Sequence, residues 1–275
     1  REDEDMAAYV EQALRADGVS LELGAQIAGV QNTRGEKQVT IRRGEEEQQL
    51  RGEEILVALG RRGNSGGLSL ETAGVELNRS FIEVDARLRS SNPHILAAGD
   101  VNGNFLFTHV AGAEGSFLVR SLALHLPGKM DYSKVPWSTY SDPELASVGY
   151  NEQRAQQAGI DYRTVLTSFE EVDRARAEGY EKGRIKILLD KKERIIGSQI
   201  AAGHAGELLP SAILAIQNRW KLGSLLGPIF PYPTMAEIYK RAAGNYLSPR
   251  LFNPRVRGIL KKLFGYRGSG PVSAK

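Results

Sequence analysis

A carboxylate at the end of an apolar run is the first candidate for chemistry in this sequence. The run His94–Ala98 has the length of a buried strand, and Gly99 and Gly103 let the chain turn on either side of Asp100. Ligands of doubly wound α/β sheets bind beyond the carboxyl ends of the strands, where an aspartate can accept hydrogen bonds from sugar hydroxyls. We therefore interpret Asp100 as a ligand-binding residue, with a simple turn aspartate as the alternative.

The segment that follows Asp100 predicts a helix that begins close to a ligand. Val110–Leu126 is rich in alanine and leucine and carries small residues at its start, namely Ala111, Gly112, Ala113, Gly115 and Ser116. The amino end of a helix is the positive end of its dipole and suits an anion or a carbonyl oxygen. The whole stretch 92–115 thus predicts one ligand-binding turn and helix start.

This stretch closely resembles the second FAD-binding segment of the pyridine nucleotide-disulfide oxidoreductases, the family of dihydrolipoamide dehydrogenase, glutathione reductase and mercuric reductase. The resemblance implies that the turn at Gly99 and Asp100 holds the ribityl chain of FAD. It also implies that the flavin side is lined by backbone groups of Leu106, Phe107, Thr108 and His109. The sequence from residue 1 to about residue 247 resembles the C-terminal half of a family member, so we expect a piece of a longer enzyme.

The beginning of the chain predicts the end of a nucleotide-binding domain. The periodicity predicts a helix over Asp5–Ala16 and strands at Val19–Leu23, Ala25–Val30, Lys37–Arg42 and Ile55–Leu59. The run Gly60-Arg61-Arg62-Gly63-Asn64 resembles the G-R-x-P-N that ends the family's NAD(P)H domain, and we expect Gly63 in place of proline to loosen that turn. The resemblance places Gly60 near the nicotinamide nucleotide and Ile27 in the same crevice, whereas a plain strand-ending turn is the alternative for Gly60.

The second half of the chain predicts an α+β domain. Strands are expected at 137–140, 145–149, 161–169, 183–190 and 194–201, and helices at 151–159, 207–220 and 234–246, with Asn151 and Thr234 as caps. One face of the sheet is expected to pack on a core. The segments TYSDPELASVG, DRARAEG and HAGELLPSAILAI resemble the family's interface domain, which implies a homodimer. A monomeric α+β domain is the alternative.

A candidate catalytic residue lies in the segment FPYPTMAE, residues 230–237. Relatives such as dihydrolipoamide dehydrogenase carry a proton-transferring histidine before the Pro-Thr pair and a glutamate that orients it; here Tyr232 and Glu237 take those places. A tyrosine with an ordinary pKa near ~10 is mainly a hydrogen-bond donor at neutral pH, whereas histidine titrates there. A packed interface tyrosine and a helix-capping glutamate are the alternatives.

Composition excludes several classes of function. The chain has 275 residues and no cysteine, so disulfides, thiolate metal sites and a thiol redox couple are absent from it. His94, His125 and His204 have no partners at metal-ligand spacing, and no metal site is predicted. No apolar run is long enough to span a bilayer, and we expect a cytoplasmic protein without nucleic-acid binding.

Residues 247–275 carry seven basic residues and no acidic one. The apolar residues after Pro254 recur at helical spacing, so this tail could contact a membrane surface or dock on its own domain.

The sequence therefore predicts an α/β plus α+β architecture, the tail of a Rossmann-like NAD(P)/FAD domain pair followed by a dimerisation domain. The expected parts are an NAD(P)H-binding segment (1–64), an FAD-binding segment (65–128), an interface domain (129–247) and a basic extension (248–275). The implied activity is an FAD-dependent NAD(P)H:disulfide oxidoreductase whose redox cysteines lie outside this chain. Alternatives are a mercuric reductase-like enzyme with another acceptor, a non-catalytic dimerisation module and a basic surface-binding protein.

Overall fold

The computed structural model of this chain describes residues 1–33 and 35–265. It separates into two compact units, one formed by Arg1–Ala16 together with the chain from Ser133 onward, and one formed by Asp17–Tyr132. We call these the discontinuous unit and the inserted unit. The sequence-based boundaries at residues 64, 128 and 247 follow the domains of the resembling family and stay a prediction. Arg267 and Lys275 of the basic tail lie outside the described residues.

The described helices and strands follow the predicted order in the second half of the chain. The α-helices are α1 (Glu4–Ala16), α2 (Thr108–Leu122), α3 (Glu152–Gln157), α4 (Asp173–Glu178), α5 (Ala205–Gln217), α6 (Glu237–Leu251) and α7 (Pro254–Phe264). The strands are β1 (Gln26–Thr33), β2 (Glu36–Arg43), β3 (Glu46–Gly52), β4 (Leu77–Asn78), β5 (Phe81–Ile82), β6 (Trp137–Thr139), β7 (Glu144–Gly149), β8 (Arg163–Ser168), β9 (Arg184–Leu189) and β10 (Ile195–Ala202). The chain is of the mixed α/β kind that the sequence predicts.

A five-stranded antiparallel sheet with the order β6-β7-β10-β9-β8 is the centre of the discontinuous unit. Because side chains alternate across a strand, Ile185, Ile187 and Leu189 of β9 reach one face and join a core with α5 and α6. Leu188 is also fully buried, on the opposite face. The expected packing of one face on a core is therefore confirmed, and α1 additionally covers the other face through Met6.

The contact between α1 and this sheet depends on a buried lysine. Lys186 is 2% exposed and its Nζ donates to Asp5 at 2.5 Å, Glu152 at 2.8 Å and Asp3 at 3.2 Å. Burial opposes the lysine's charge, but the hydrogen bonds to Asp5 and Glu152 and the nearby Asp3 outweigh it, so the pKa of Lys186 lies above its usual range. The sheet thus keeps a charged residue inside because the first residues of the chain supply its counter-charges.

Glu2 extends the same contact. It accepts hydrogen bonds from Trp137 Nε1, from Ser147 Oγ, and from Gln199 Nε2 at 2.7 Å. Ser147 and Gln199 are buried side chains of β7 and β10 that reach the α1 side of the sheet. Glu2 therefore supplies acceptors for the donors of this polar face, whereas Gln199 Oε1 is buried without a hydrogen-bond partner.

The inserted unit contains an antiparallel sheet of three strands, β1-β2-β3, and a small core around Leu70, Val75, Ile82 and Ala97. Its third strand was not predicted, because β3 is polar and forms through ladder pairing with β2 rather than through an apolar face. The predicted strand at Val19–Leu23 is irregular and largely exposed. Sequence pattern alone therefore misplaced two of the strands at the start of this unit.

The apolar run Ile55–Leu59 is also not a strand. Leu56 is 93% exposed, Leu59 is 81% exposed and Val57 is 72% exposed. A buried parallel strand needs hydrogen-bonding neighbours on its edges, and no strand of the described residues pairs with this run. The prediction of a strand here is wrong for that reason.

We expect Lys186→Met to destabilise the discontinuous unit by about 3 kcal/mol, because it leaves buried and half-buried carboxylates without their cation. Both tryptophans of the chain, Trp137 and Trp220, belong to this unit. Denaturant unfolding followed by tryptophan fluorescence therefore measures the change. The matched control is Lys191→Met, since Lys191 is 79% exposed and its pair with Asp161 is a surface ion pair. Equal unfolding midpoints for the two variants would contradict a stabilising role of the buried cluster.

Candidate functional site

Asp100 lies in a tight turn of the inserted unit. It is the first residue of a short 3-10 helix, Asp100–Asn102, with Gly99 before it at φ 80° and Gly103 after it at φ 72°. The left-handed conformation at both glycines confirms that they permit the turn. The preceding run His94–Ala98 makes only an isolated bridge between Leu96 and Arg89, so the predicted buried strand is wrong. The backbone of Asp100 is therefore positioned by the tight turn and not by the end of a strand.

Glu114 fixes this turn against α2 and was missed by the sequence reasoning. Its side chain is almost fully buried, and its Oε2 accepts from Gly99 N at 2.6 Å and from Asn102 Nδ2 at 2.9 Å. The other oxygen accepts from the Tyr132 hydroxyl at 2.5 Å. Burial first, and then the hydrogen bond to Glu114, raises the pKa of Tyr132 well above its usual range. Glu114 comes four residues after buried Val110, a helical spacing that would have placed it on the inner face.

Small residues let the turn lie directly on α2. A Cβ atom added at Gly99 would lie 3.3 Å from the Cβ of Ala111, a tighter contact than most side chains make. The helix begins at Thr108, two residues before the predicted start, and Phe107 precedes it in an extended conformation. Phenylalanine offers no side-chain acceptor to this positive helix end, so the start of α2 suits an external carbonyl or anion.

Arg61 connects the glycine-rich run to the Asp100 turn. Its guanidinium donates to Asp100 Oδ2 at 2.8 Å and to the backbone oxygen of Leu106. Both members of the pair are partly exposed, with 58% exposure for Arg61 and 43% for Asp100, so the carboxylate remains accessible to a ligand. The structure therefore brings the neighbour of Gly60 together with two of the predicted flavin-binding residues.

Gly63 lies in close contact with Ser80. Its N–H donates to Ser80 Oγ at 3.1 Å, and a Cβ at this position would come within 2.2 Å of the Ser80 carbonyl oxygen. A proline could not donate this hydrogen bond. The turn therefore contains a hydrogen bond that a proline could not make, and the looseness expected from the sequence stays a prediction.

The remaining predicted ligand-binding residues lie on separate elements. Gly60 is exposed at φ 112°, a conformation that favours glycine. Ile27 is half exposed on β1 and pairs with Ile41 of β2. The rings of Phe107 and His109 stack with centroids 5.2 Å apart at the start of α2. These positions contain no contact that tests their predicted roles.

Tyr232 and an aspartate that the sequence reasoning did not single out form a hydrogen-bonded pair in the discontinuous unit. The Tyr232 hydroxyl donates to Asp173 Oδ2 at 3.0 Å, and the tyrosine side chain is 69% exposed. The hydrogen bond to Asp173 and the negative charge of that carboxylate raise the pKa of Tyr232. Tyr232 is therefore a neutral phenol at physiological pH, with its proton directed toward Asp173. The only sequence signal for Asp173 is its place in the segment DRARAEG.

Glu237 lies five residues after Tyr232, and its side chain forms one of the two contacts of the predicted capping box. Its Oε2 lies 3.5 Å from Thr234 N, but the Thr234 hydroxyl donates to the backbone oxygen of Pro231 instead of accepting from the helix. The helix α6 begins at Glu237, with Ala236 as its cap residue. The prediction of Thr234 as the cap of a helix over 234–246 is therefore wrong, whereas Asn151 does cap α3 by accepting from Arg154 N at 3.0 Å.

Comparison with known proteins assigns the chain to a family. The profile described as pyridine nucleotide-disulphide oxidoreductase matches residues 1–115, and the profile of the dimerisation domain of the same family matches residues 135–243. The chain belongs to the pyridine nucleotide-disulphide oxidoreductase family, as its sequence motifs indicated. The second match shows that it contains the family's dimerisation domain.

Two curated relatives illustrate the range of enzymes that this chain resembles. It is 35% identical to the mercuric reductase of Acidithiobacillus ferrooxidans over 251 residues, which cover 90% of this chain and 44% of the relative. It is 34% identical to the dihydrolipoyl dehydrogenase of Geobacillus stearothermophilus over 243 residues, which cover 88% of this chain and 52% of the relative. The chain thus spans about half the length of the curated relatives it matches.

Solved structures agree with this assignment. LpdA from Mycobacterium tuberculosis is similar with a TM-score of 0.81 and 27% identity, over 90% of this chain and 53% of that chain. The HOCl-induced flavoprotein disulfide reductase RclA from Escherichia coli is similar with a TM-score of 0.77 and 29% identity, over 88% of this chain and 55% of that chain. The fold is therefore shared with flavoprotein reductases.

We expect Glu114→Ala to loosen the Asp100 turn, because it leaves the Gly99 amide and the Asn102 side chain without their acceptor, at a cost of about 2 kcal/mol. Hydrogen exchange of a peptide spanning the turn would accelerate roughly 30-fold, which is the same free energy expressed as a ratio. Glu114→Gln should have a smaller effect, since an amide oxygen can still accept from both donors. Exposed Glu71→Ala serves as the control. Unchanged exchange in Glu114→Ala would contradict the role given to this carboxylate.

Proposed function

We propose that this chain is the C-terminal part of an FAD-dependent NAD(P)H:disulfide oxidoreductase. The observation that carries the proposal is the Asp100 turn, which Glu114 fixes to the start of α2 and which leaves the Asp100 carboxylate accessible. The family assignment supports it, because both halves of the chain match this one family. We include a cytoplasmic location in the proposal because NAD(P)H is an intracellular electron donor. No helix in the described part of the chain is long and apolar enough to cross a membrane.

The residues of the inserted unit fit the second half of an FAD site. Asp100 would accept hydrogen bonds from the ribityl hydroxyls; a carboxylate accepts at both oxygens, and Arg61 donates only to Oδ2. The uncapped helix start after Phe107 would face the flavin ring, together with the backbone of Leu106 and Thr108 and with His109. Gly60 and Ile27 would border the NAD(P)H crevice. When bound, FAD would supply hydride and electron transfer between NAD(P)H and the acceptor.

Tyr232 is proposed as the catalytic residue of this chain, with Asp173 and Glu237 as the carboxylates around it. The phenol donates to Asp173, so its oxygen lone pairs remain for a hydrogen bond from a reacting thiol. In this arrangement Tyr232 holds a substrate atom in position and does not remove a proton at neutral pH, unlike the histidine that family relatives carry at this place. Glu237 contributes negative charge that helps to keep the phenol protonated.

Association into a homodimer is part of the proposal. The family's dimerisation domain covers residues 135–243, and several large apolar side chains of this region are exposed in the single chain. Ile229 is 96% exposed, Leu214 is 56% exposed and Leu166 is 46% exposed. Exposed aliphatic residues of this size are typical of surfaces that a second subunit covers.

The electron acceptor can be a disulfide or a metal ion. Mercuric reductases are among the similar proteins, which keeps a metal ion open as the acceptor. The cysteine pair that either acceptor requires is absent from this chain. We propose the disulfide as acceptor class, because both family profiles that match this chain are described as pyridine nucleotide-disulphide oxidoreductases, and treat the metal ion as the alternative.

Flavin retention tests the proposal. We expect the complete enzyme that contains these residues to purify with bound FAD and to oxidise NAD(P)H, whereas the 275-residue chain alone retains no flavin and shows no turnover. In the complete enzyme, Asp100→Ala should lower FAD affinity roughly 10- to 100-fold, since a charge-assisted hydrogen bond is worth about 1.5–3 kcal/mol. Exposed Asp161→Ala, in the discontinuous unit, is the control. Tight FAD binding by the isolated chain would refute the proposal that these residues form only the second half of the FAD site.

The pH profile of the complete enzyme tests the pair of Tyr232 and Asp173. Asp173 raises the pKa of the phenol, so Asp173→Asn should lower that pKa and move the alkaline limb of kcat/KM to lower pH, while the rate near pH ~7 changes less than about threefold. Tyr232→Phe should reduce kcat/KM by roughly 10- to 100-fold at all pH values from about 6 to 10.

The control for this experiment is Tyr140→Phe, because Tyr140 is 84% exposed in the same unit. Equal rates for Tyr232→Phe and the parent would exclude a role for the hydroxyl. An unshifted alkaline limb in Asp173→Asn would show that Asp173 does not act through the phenol.

A further inference from the structure

Helix α7, Pro254–Phe264, has local capping signals at both of its ends. The Asn253 side chain accepts from Val256 N at 2.9 Å and caps the helix, while Pro254 occupies the first turn, where a missing N–H has no cost. Gly265 ends the helix in the left-handed conformation at φ 59°. These signals are strong, so the helix does not need the body of the protein to define its ends.

The two sides of α7 have opposite character. At about 100° per residue, its apolar side chains fall on one arc of roughly 140° and its cations fall on the remaining surface. The apolar set is Val256, Ile259, Leu260, Leu263 and Phe264, and the cationic set is Arg255, Arg257, Lys261 and Lys262. No acidic residue occurs anywhere in residues 247–275. The helix is therefore amphipathic and purely cationic.

Within the described residues the apolar side of α7 is not covered. None of its residues is buried, and exposure reaches 76% at Phe264, 70% at Leu263 and 56% at Ile259. Just before the helix, Leu251 and Phe252 are also more than half exposed. A contiguous apolar stripe of this kind marks an interaction surface.

We infer that α7 binds the surface of an anionic phospholipid bilayer and lies in the plane of its headgroups. The apolar stripe would enter the acyl boundary while the four cations meet anionic headgroups, a combination typical of interfacial helices. An 11-residue helix is about 16 Å long, which is too short to span a bilayer, so the contact is peripheral. This inference does not depend on the proposed redox activity.

A nucleic acid or a second copy of α7 would be complementary to only one side of the helix. A nucleic acid would use the cations and leave the leucine and phenylalanine side chains in water. A second copy of α7 would cover the apolar stripe but would bring two purely cationic helices together, which costs free energy through like-charge repulsion. Of these three occupants, the anionic lipid surface is complementary to both sides at once.

Vesicle flotation of the full 275-residue chain tests the inference. We expect binding to phosphatidylcholine vesicles that contain about one third phosphatidylserine, weak binding to pure phosphatidylcholine, and loss of most binding at about 0.5 M salt. Leu263→Gln combined with Phe264→Gln should weaken binding at least ~10-fold, because the buried apolar area falls. Lys261→Glu combined with Lys262→Glu should do the same through charge.

Matched controls separate the helix from the rest of the chain. Lys191→Glu combined with Lys192→Glu makes the same charge change at two exposed neighbouring lysines, and Leu56→Gln removes another exposed leucine; both should leave vesicle binding unchanged. Since α7 has no buried residue, its variants should keep the parent's circular dichroism.

Three outcomes would overturn the inference. The first is equal affinity of the parent and the helix variants for anionic vesicles. The second is a gel shift with duplex DNA or RNA that charge reversal abolishes and the glutamine variants keep, which would assign the helix to nucleic acid. The third is a smaller oligomer by light scattering in Leu263→Gln with Phe264→Gln but no vesicle binding by the parent, which would assign the stripe to a second copy.

Discussion

The inserted unit depends on one buried carboxylate. Glu114 is 1% exposed and accepts hydrogen bonds from a backbone amide and a side-chain amide of one turn, Gly99 and Asn102, and from the phenol of Tyr132 in a later segment. A buried carboxyl group needs hydrogen-bond partners around it, so the segments that supply these donors are held close to it. The glycine conformations, the close approach of Ala111 and the accessible position of Asp100 all follow from this constraint. These contacts thus define the geometry of the proposed ligand-binding turn without a bound ligand.

The discontinuous unit also buries polar side chains, on one face of its sheet. Its sheet carries Lys186, Ser147 and Gln199 on a face that would be polar and solvated if it were open. Acidic residues at the start of the chain cover this face and convert it into an interior. The opposite face is an ordinary apolar core with α5 and α6. Both faces of β9 are therefore buried: one lies in an apolar core, and the other lies in an interior under α1 that combines ionic and apolar contacts.

The sequence predicted the second half of the chain well and the first half less well, for physical reasons. Antiparallel strands such as β9 and β10 pair with near neighbours, and their alternation and turns are local signals. The run Ile55–Leu59 has the composition of a buried strand, but composition cannot supply the neighbouring strands that would bury it. β3 shows the converse, since its pairing with β2 makes a strand from a polar segment. Motif resemblance located Asp100 and Tyr232, whereas Arg61, Glu114 and Asp173 became visible only through contacts between segments distant in sequence.

The arrangement of α1 has a consequence for how the polypeptide acquires its structure. The counter-charges of Lys186 are supplied in part by Asp3, so this contact joins positions 183 residues apart, and the inserted unit lies between them in the sequence. A ribosome must therefore release the whole intervening segment before the first helix can find its sheet. Closure of so long a loop costs chain entropy and is slow compared with hairpin formation. During synthesis α1 therefore emerges well before β9, and the contacts of Lys186 with Asp3 and Asp5 can form only after β9 has been made.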